Sequence, residues 1–61
     1  MNAFADELHR RINDARVAVR AAQEAGDLDA ERVYAGELDS LLHLAREHGI
    51  TTEADRSDDV T

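Results

Sequence analysis

Residues 26–29 read Gly-Asp-Leu-Asp, and this punctuation constrains the chain more than any other stretch. Gly26 follows an alanine-rich periodic run, where a helix closes on a residue that tolerates a left-handed backbone. Asp27 and Asp29 each offer a carboxylate to the unpaired N–H groups that begin a new helix. A connection this short forces the second helix back against the first. The expectation is an all-α fold: a two-helix antiparallel hairpin, or αα-hairpin, over residues 1–50, with helix 1 over about 2–25, a turn at 26–29 and helix 2 over about 28–48.

Helix 1 carries a seam of Met1, Ala5, Leu8, Ile12, Ala15, Val19 and Ala22 in alternating steps of four and three. That is the pattern of a helix packed at a shallow angle on a neighbour. Asn2 is placed to cap it, and Phe4, Ala18 and Ala25 widen the stripe on one side. Val17 falls on the opposite, solvent-facing side.

Helix 2 carries Tyr34, Leu38, Leu41, Ala45 and His48, flanked by Ala35 and Leu42 on one side and Leu44 on the other. If Asp29 is the cap, Leu28 and Val33 stand where a hydrophobic staple forms. If Asp27 is the cap, the helix begins two residues earlier. The spacing leaves both open. Gly49 ends the helix, with Ile50 positioned to touch Leu44 or Ala45.

Folding about the turn pairs residues whose numbers sum to about 53, which sets Leu38 near Ala15, Leu41 near Ile12 and Ala45 near Leu8. Large side chains then face small ones at two of these levels, as interdigitating layers require. Residues 51–61 are acidic and lack an apolar period, the composition of a disordered tail.

Residues 25–30, Ala-Gly-Asp-Leu-Asp-Ala, resemble the inter-helix turn of a tetratricopeptide unit. The resemblance covers these six residues. The following alanine comes one position early, the helix 1 signature is absent, and no second copy stands at a 34-residue period. It is shared turn chemistry, not kinship.

The stripes are wider than one partner helix covers. Phe4, Val17, Val33, Leu42 and Leu44 cannot all reach a single seam, and each large apolar side chain left in water forgoes roughly 1.5–3 kcal/mol relative to full burial. With no cysteine in 61 residues, neither disulfides nor thiolate metal sites can make up the deficit. A homodimer forming a four-helix bundle is the economical answer. The expected interface takes Phe4, Leu8, Ile12, Val17 and Val19 from helix 1, and Val33, Tyr34, Leu38, Leu41 and Leu42 from helix 2. Gly36, in mid-helix, is either a point of close backbone approach or an ordinary surface residue.

The net charge of −7 arises wholly from residues 26–61, because residues 1–25 balance four arginines against four acids. Such a chain repels phosphate backbones, so nucleic acid is not an expected partner. No apolar run approaches the length of a membrane span, and the N-terminus lacks the pattern of a signal peptide. The expected compartment is cytoplasmic, in keeping with the absent cysteine. Arg10, Arg11, Arg16 and Arg20 form the one basic cluster; acids of helix 2 such as Glu31, Glu37 and Asp39 are the expected counter-charges within a bundle, and the phosphates of a partner are the alternative.

Chemistry is sparse. His43 and Glu47, one turn apart, are a weak pair of metal ligands, with His9 about one turn from their level; a zinc site needs at least a third. Asp27/Asp29 and Asp58/Asp59 lie in a turn and a tail, where capping and hydration account for them. Ser40, beside Asp39 and one turn from His43, superficially resembles a triad, but adjacent helix positions point apart and mid-helix N–H groups are taken. No enzyme and no cofactor is expected. The expected function is a non-enzymatic protein-interaction module that self-associates and presents a surface. The alternative is a small acidic regulator that occludes a basic protein, such as a transcription factor or a toxin.

Overall fold

A computed structural model describes residues 2–50. Two helices, α1 (Ala3–Ala25) and α2 (Leu28–Glu47), pack as an antiparallel hairpin. Met1 of the expected seam and the expected tail over 51–61 lie outside the described residues.

Asn2 starts α1: its side chain accepts a hydrogen bond from the Ala5 N–H at 3.1 Å. The helix closes at Gly26, which adopts φ 71°. There the Gly26 N–H donates to Gln23 O, and the Asp27 N–H reaches back to Ala22 O at 2.9 Å. These two bonds satisfy carbonyls that a helix end otherwise leaves without partners. Asp27 at once begins α2. Its Oδ1 accepts from the Ala30 N–H at 3.1 Å, and its carbonyl accepts from Glu31. Between the two alternatives left open by spacing, the cap is therefore Asp27, and the turn shrinks to Gly26 and Asp27.

The C-terminal end of α2 repeats the device. Gly49 has φ 68°, its N–H donates to Arg46 O, and the Ile50 N–H donates to Ala45 O at 2.8 Å. Ile50 is thereby turned inward onto the core.

That core is thin. Leu8, Ile12, Ala15, Ala22 and Ala45 are buried, and no large side chain is completely enclosed. Leu38, Leu41, Leu42, Leu44 and Ile50 pack around Leu8, Ile12 and Ala45 while keeping part of their surface in water. Ala45 is fully covered, which lets α2 approach Leu8 and Ile12 closely. Two further contacts track the register at the ends of the hairpin. The Phe4 and His48 rings lie 4.9 Å apart, and Gln23 Nε2 donates to Glu31 Oε2 at 3.0 Å. Each falls within one residue of the expected pairing.

Two seam assignments need correction. Tyr34 is 39% exposed and lies at the edge of the helix–helix contact, and His48 is exposed as the residue that closes α2. His48 falls one residue past the last helical residue of α2, where the heptad no longer applies, and Tyr34 faces the small Ala15 and Ala18, past which its long ring extends to the edge. The Leu28–Val33 staple is also absent. It required Asp29 as cap, and both side chains stand well exposed.

Candidate functional site

A hairpin has two flanks, and the described residues make them unequal. On one flank α1 presents Phe4, Glu7, Arg11 and Ala18 at helical spacing, and α2 presents Tyr34, Glu37, Leu41 and Leu44. Between them runs a groove with two depressions. The first, about 250 Å³, is walled by Phe4, Leu8, Leu41 and Leu44 with Glu7 and Arg11 at its rim. The second, about 420 Å³, continues toward the turn past Ala15, Ala18 and Tyr34, with Arg10, Asp14 and Glu37 along it. Phe4 is 47% exposed, so this flank holds both of the chain's aromatic side chains partly in water. On the other flank the Gln23–Glu31 hydrogen bond ties the helices across the seam, and Val19, Leu38 and Leu42 are half-buried.

The ion pairs described along the groove join residues of α1. Glu7 Oε2 lies 2.7 Å from Arg10 Nη2 and 3.0 Å from Arg11 Nε, and Arg10 Nη1 reaches Asp14 at 3.5 Å. All are spaced three or four residues apart, where side chains on one helix face are neighbours. The Arg10 and Arg11 hydrogen bonds hold the Glu7 carboxyl down at about 2. Arg10 is raised in turn by Glu7. The expectation that these arginines pair with acids of helix 2 is thus corrected for Arg10 and Arg11. Their own helix supplies partners without a second element having to be held in place, and Glu31 is engaged by Gln23 instead.

The remaining sites fall outside the groove. Val17 is exposed on the outer face of α1, among Asn13, Arg16 and Arg20. Val33 and Leu28 stand out from α2. His43 Nε2 lies 3.3 Å from Glu47 Oε2, an exposed pair that becomes an ion pair only when the imidazole is protonated. Among the described residues no group of three or more His, Cys, Asp or Glu side chains converges on a point that would hold a metal ion. Ser40 lies exposed in mid-helix, and no buried side-chain polar atom among them lacks a partner. Gly36 has nothing within 4 Å of where a Cβ would stand, so within the hairpin no backbone approaches it. No helix among the described residues is long and apolar enough to cross a membrane.

Sequence periodicity found the participants in the core and placed Phe4 with Ala18 on one side and Leu44 opposite Leu42, but did not single out one flank as a groove. It named Phe4, Tyr34 and Leu41 as interface residues, and omitted Ala15, Ala18 and Glu37 from that set, although they line the groove. The signal was present in the i, i+3, i+7 spacing of Tyr34, Glu37 and Leu41, where a charged residue sits within an apolar stripe. Compared with protein-family models, curated proteins and solved structures, the chain has no significant match to any of them.

Proposed function

We propose that this protein is a non-enzymatic interaction module, a cytoplasmic helical hairpin that self-associates into a four-helix bundle and presents its outer faces to other proteins. The observation that carries this reading is the uncovered apolar flank: Phe4 and Tyr34 half in water, beside partly covered Leu41 and Leu44, over a core of five buried residues. Groups of this size are each worth roughly 1.5–3 kcal/mol when fully buried. A domain of a few kcal/mol total stability gains substantially by covering them. The groove has two walls and no convergent polar groups buried at its base, so it suits a helix better than a small substrate.

The test is molar mass by light scattering after size exclusion, with helicity followed on dilution. The expected result is a helical dimer that loses helicity as it dissociates. A stable helical monomer across the accessible concentration range would refute the proposal.

A second reading is supported by the charge of α2, whose acids Asp29, Glu31, Glu37, Asp39 and Glu47 outnumber Arg32 and Arg46. In that reading the protein is a small acidic regulator that covers a basic partner. It requires a poorly folded monomer when alone and binding to a basic protein that weakens steeply with salt.

A further inference from the structure

We infer that the groove between Phe4 and Tyr34 is filled by a second copy of the chain, with the two-fold axis parallel to the helices, so that α1 of each protomer lies beside α2 of the other. This rests on the self-association proposed above and specifies its face and its arrangement.

Two hairpins meeting by this flank have two symmetric ways to form a square bundle. An axis across the helices sets α1 on α1 and α2 on α2. An axis along them sets α1 on α2 at both new contacts and leaves like helices on the diagonals. The helix charges discriminate between the two. Over Ala3–Ala25, α1 balances four arginines against four acids, whereas over Leu28–Glu47, α2 carries five acids against two arginines. The crosswise axis therefore packs the surplus acids of two α2 helices side by side and sets the Arg10 and Arg11 cluster against its own copy. The lengthwise axis places the acidic helices farthest apart and gives each a neutral neighbour on both sides. Like charges juxtaposed at an interface cost more than exposed ones, because water that would screen them is removed.

Shape agrees. The register places Ala18 and Val33 at similar heights, and Val33, exposed and outside the groove lining, stands one helical turn before groove-lining Glu37 on α2. In the lengthwise arrangement Val33 of one protomer meets the Ala18 wall of the other, a large residue on a small one. Arg11 lies within one and a half turns of the height of Glu37 across the new contact. Both line the groove, Arg11 with its Nε on Glu7. The diagonal then brings the two Leu41 side chains together at the centre.

The chain has no cysteine of its own, so single thiols report the arrangement without interference. Ala18→Cys and Val33→Cys are made as separate proteins, checked for helicity and molar mass, mixed and mildly oxidised. The expected product is a disulfide-linked heterodimer of one chain of each, in several-fold excess over either homodimer. Arg11→Cys alone is expected to form little homodimer, because the two positions lie on a diagonal. Rapid Arg11→Cys homodimer formation would identify the crosswise bundle and overturn the inference while leaving self-association intact. A dimer in which neither link forms would place the contact on the Leu38–Leu42 flank and overturn it too. A monomer in light scattering overturns the inference together with the reading beneath it. Tyr34→Glu provides a readout independent of oxidation: it is expected to raise the dimer dissociation constant at least tenfold, and an unchanged constant counts against the groove.

Discussion

Asp27 and Asp29 are both acids in the same turn, two residues apart, yet only one holds the start of α2, and removing each in turn separates a cap from a bystander. Asp27→Ala deletes the acceptor of the Ala30 N–H, a bond of 3.1 Å, and leaves that donor to water. Loss of such a cap costs about 0.5–2 kcal/mol, with values near 1 typical. Asp29 sits inside the first turn with its side chain exposed. Its contribution is that of a negative charge near the positive end of the helix dipole, about 0.3–1 kcal/mol at low salt and less when screened. In a domain of this size 1 kcal/mol moves the melting midpoint by roughly 4–8 °C. The assay is thermal unfolding followed by far-ultraviolet circular dichroism, at one fixed protein concentration so that association contributes equally. The expected order is Asp27→Ala well below wild type, Asp29→Ala close to it in 0.5 M salt, and Asp27→Asn nearly unchanged, because asparagine keeps the acceptor. Asp29→Ala melting below Asp27→Ala would refute the capping assignment and restore the later helix start, with its Leu28–Val33 staple.

Four further outcomes are expected. Gly26→Ala and Gly49→Ala each place a side chain at positive φ, costing roughly 1–2 kcal/mol in chemical denaturation. Gly36→Ala, in a helix interior with open space around it, stabilises the hairpin by up to about 1 kcal/mol in the same experiment, and destabilisation there would mean another backbone sits against it. Leu8→Ala empties a buried position of a thin core, and roughly 2–5 kcal/mol is comparable with the whole stability of a small domain, so loss of helicity at micromolar concentration is expected. Glu7 is ionised in the folded state down to about 2, against an ordinary value of 4.5. Its folded value is depressed, so the stability it contributes is present above about 4.5 and fades as pH falls toward 2. The melting difference between wild type and Glu7→Gln should therefore shrink across that interval, and a difference that stays constant would remove the pairing with Arg10 and Arg11 as its cause.

Much of the fold was legible because its signals are local. A glycine after an alanine-rich run, an aspartate beside it and two apolar stripes of matching length determine an antiparallel hairpin. The large-against-small alternation of Ala45 with Leu8 selected the register. What spacing left undecided was also local: Asp27 and Asp29 carry the same chemistry two residues apart, and the choice depends on backbone angles around Gly26. The errors arose where a heptad was carried past the end of the helix, at His48, where a long ring faces small neighbours, at Tyr34, and where two kinds of neighbour competed, at Arg10 and Arg11. Within the hairpin the carboxylate one turn away on α1 is the partner that Arg10 and Arg11 take. The inequality of the two flanks emerges only once both helices have a fixed rotation about their axes.

Asp27 belongs to both helices: its N–H completes α1, while its carbonyl and carboxylate begin α2. No free residue stands between them to act as a swivel. Closing a loop this short carries little entropic penalty, and contacts near the turn are local in sequence. Folding can then proceed as a zipper from Gly26–Asp27 outward, with Ala22 and Ala30 engaging early and the Phe4–His48 ring contact last. Zipping therefore runs from a turn that buries little apolar surface toward the Leu8, Ile12 and Ala45 cluster, which Ile50 closes over at the far end.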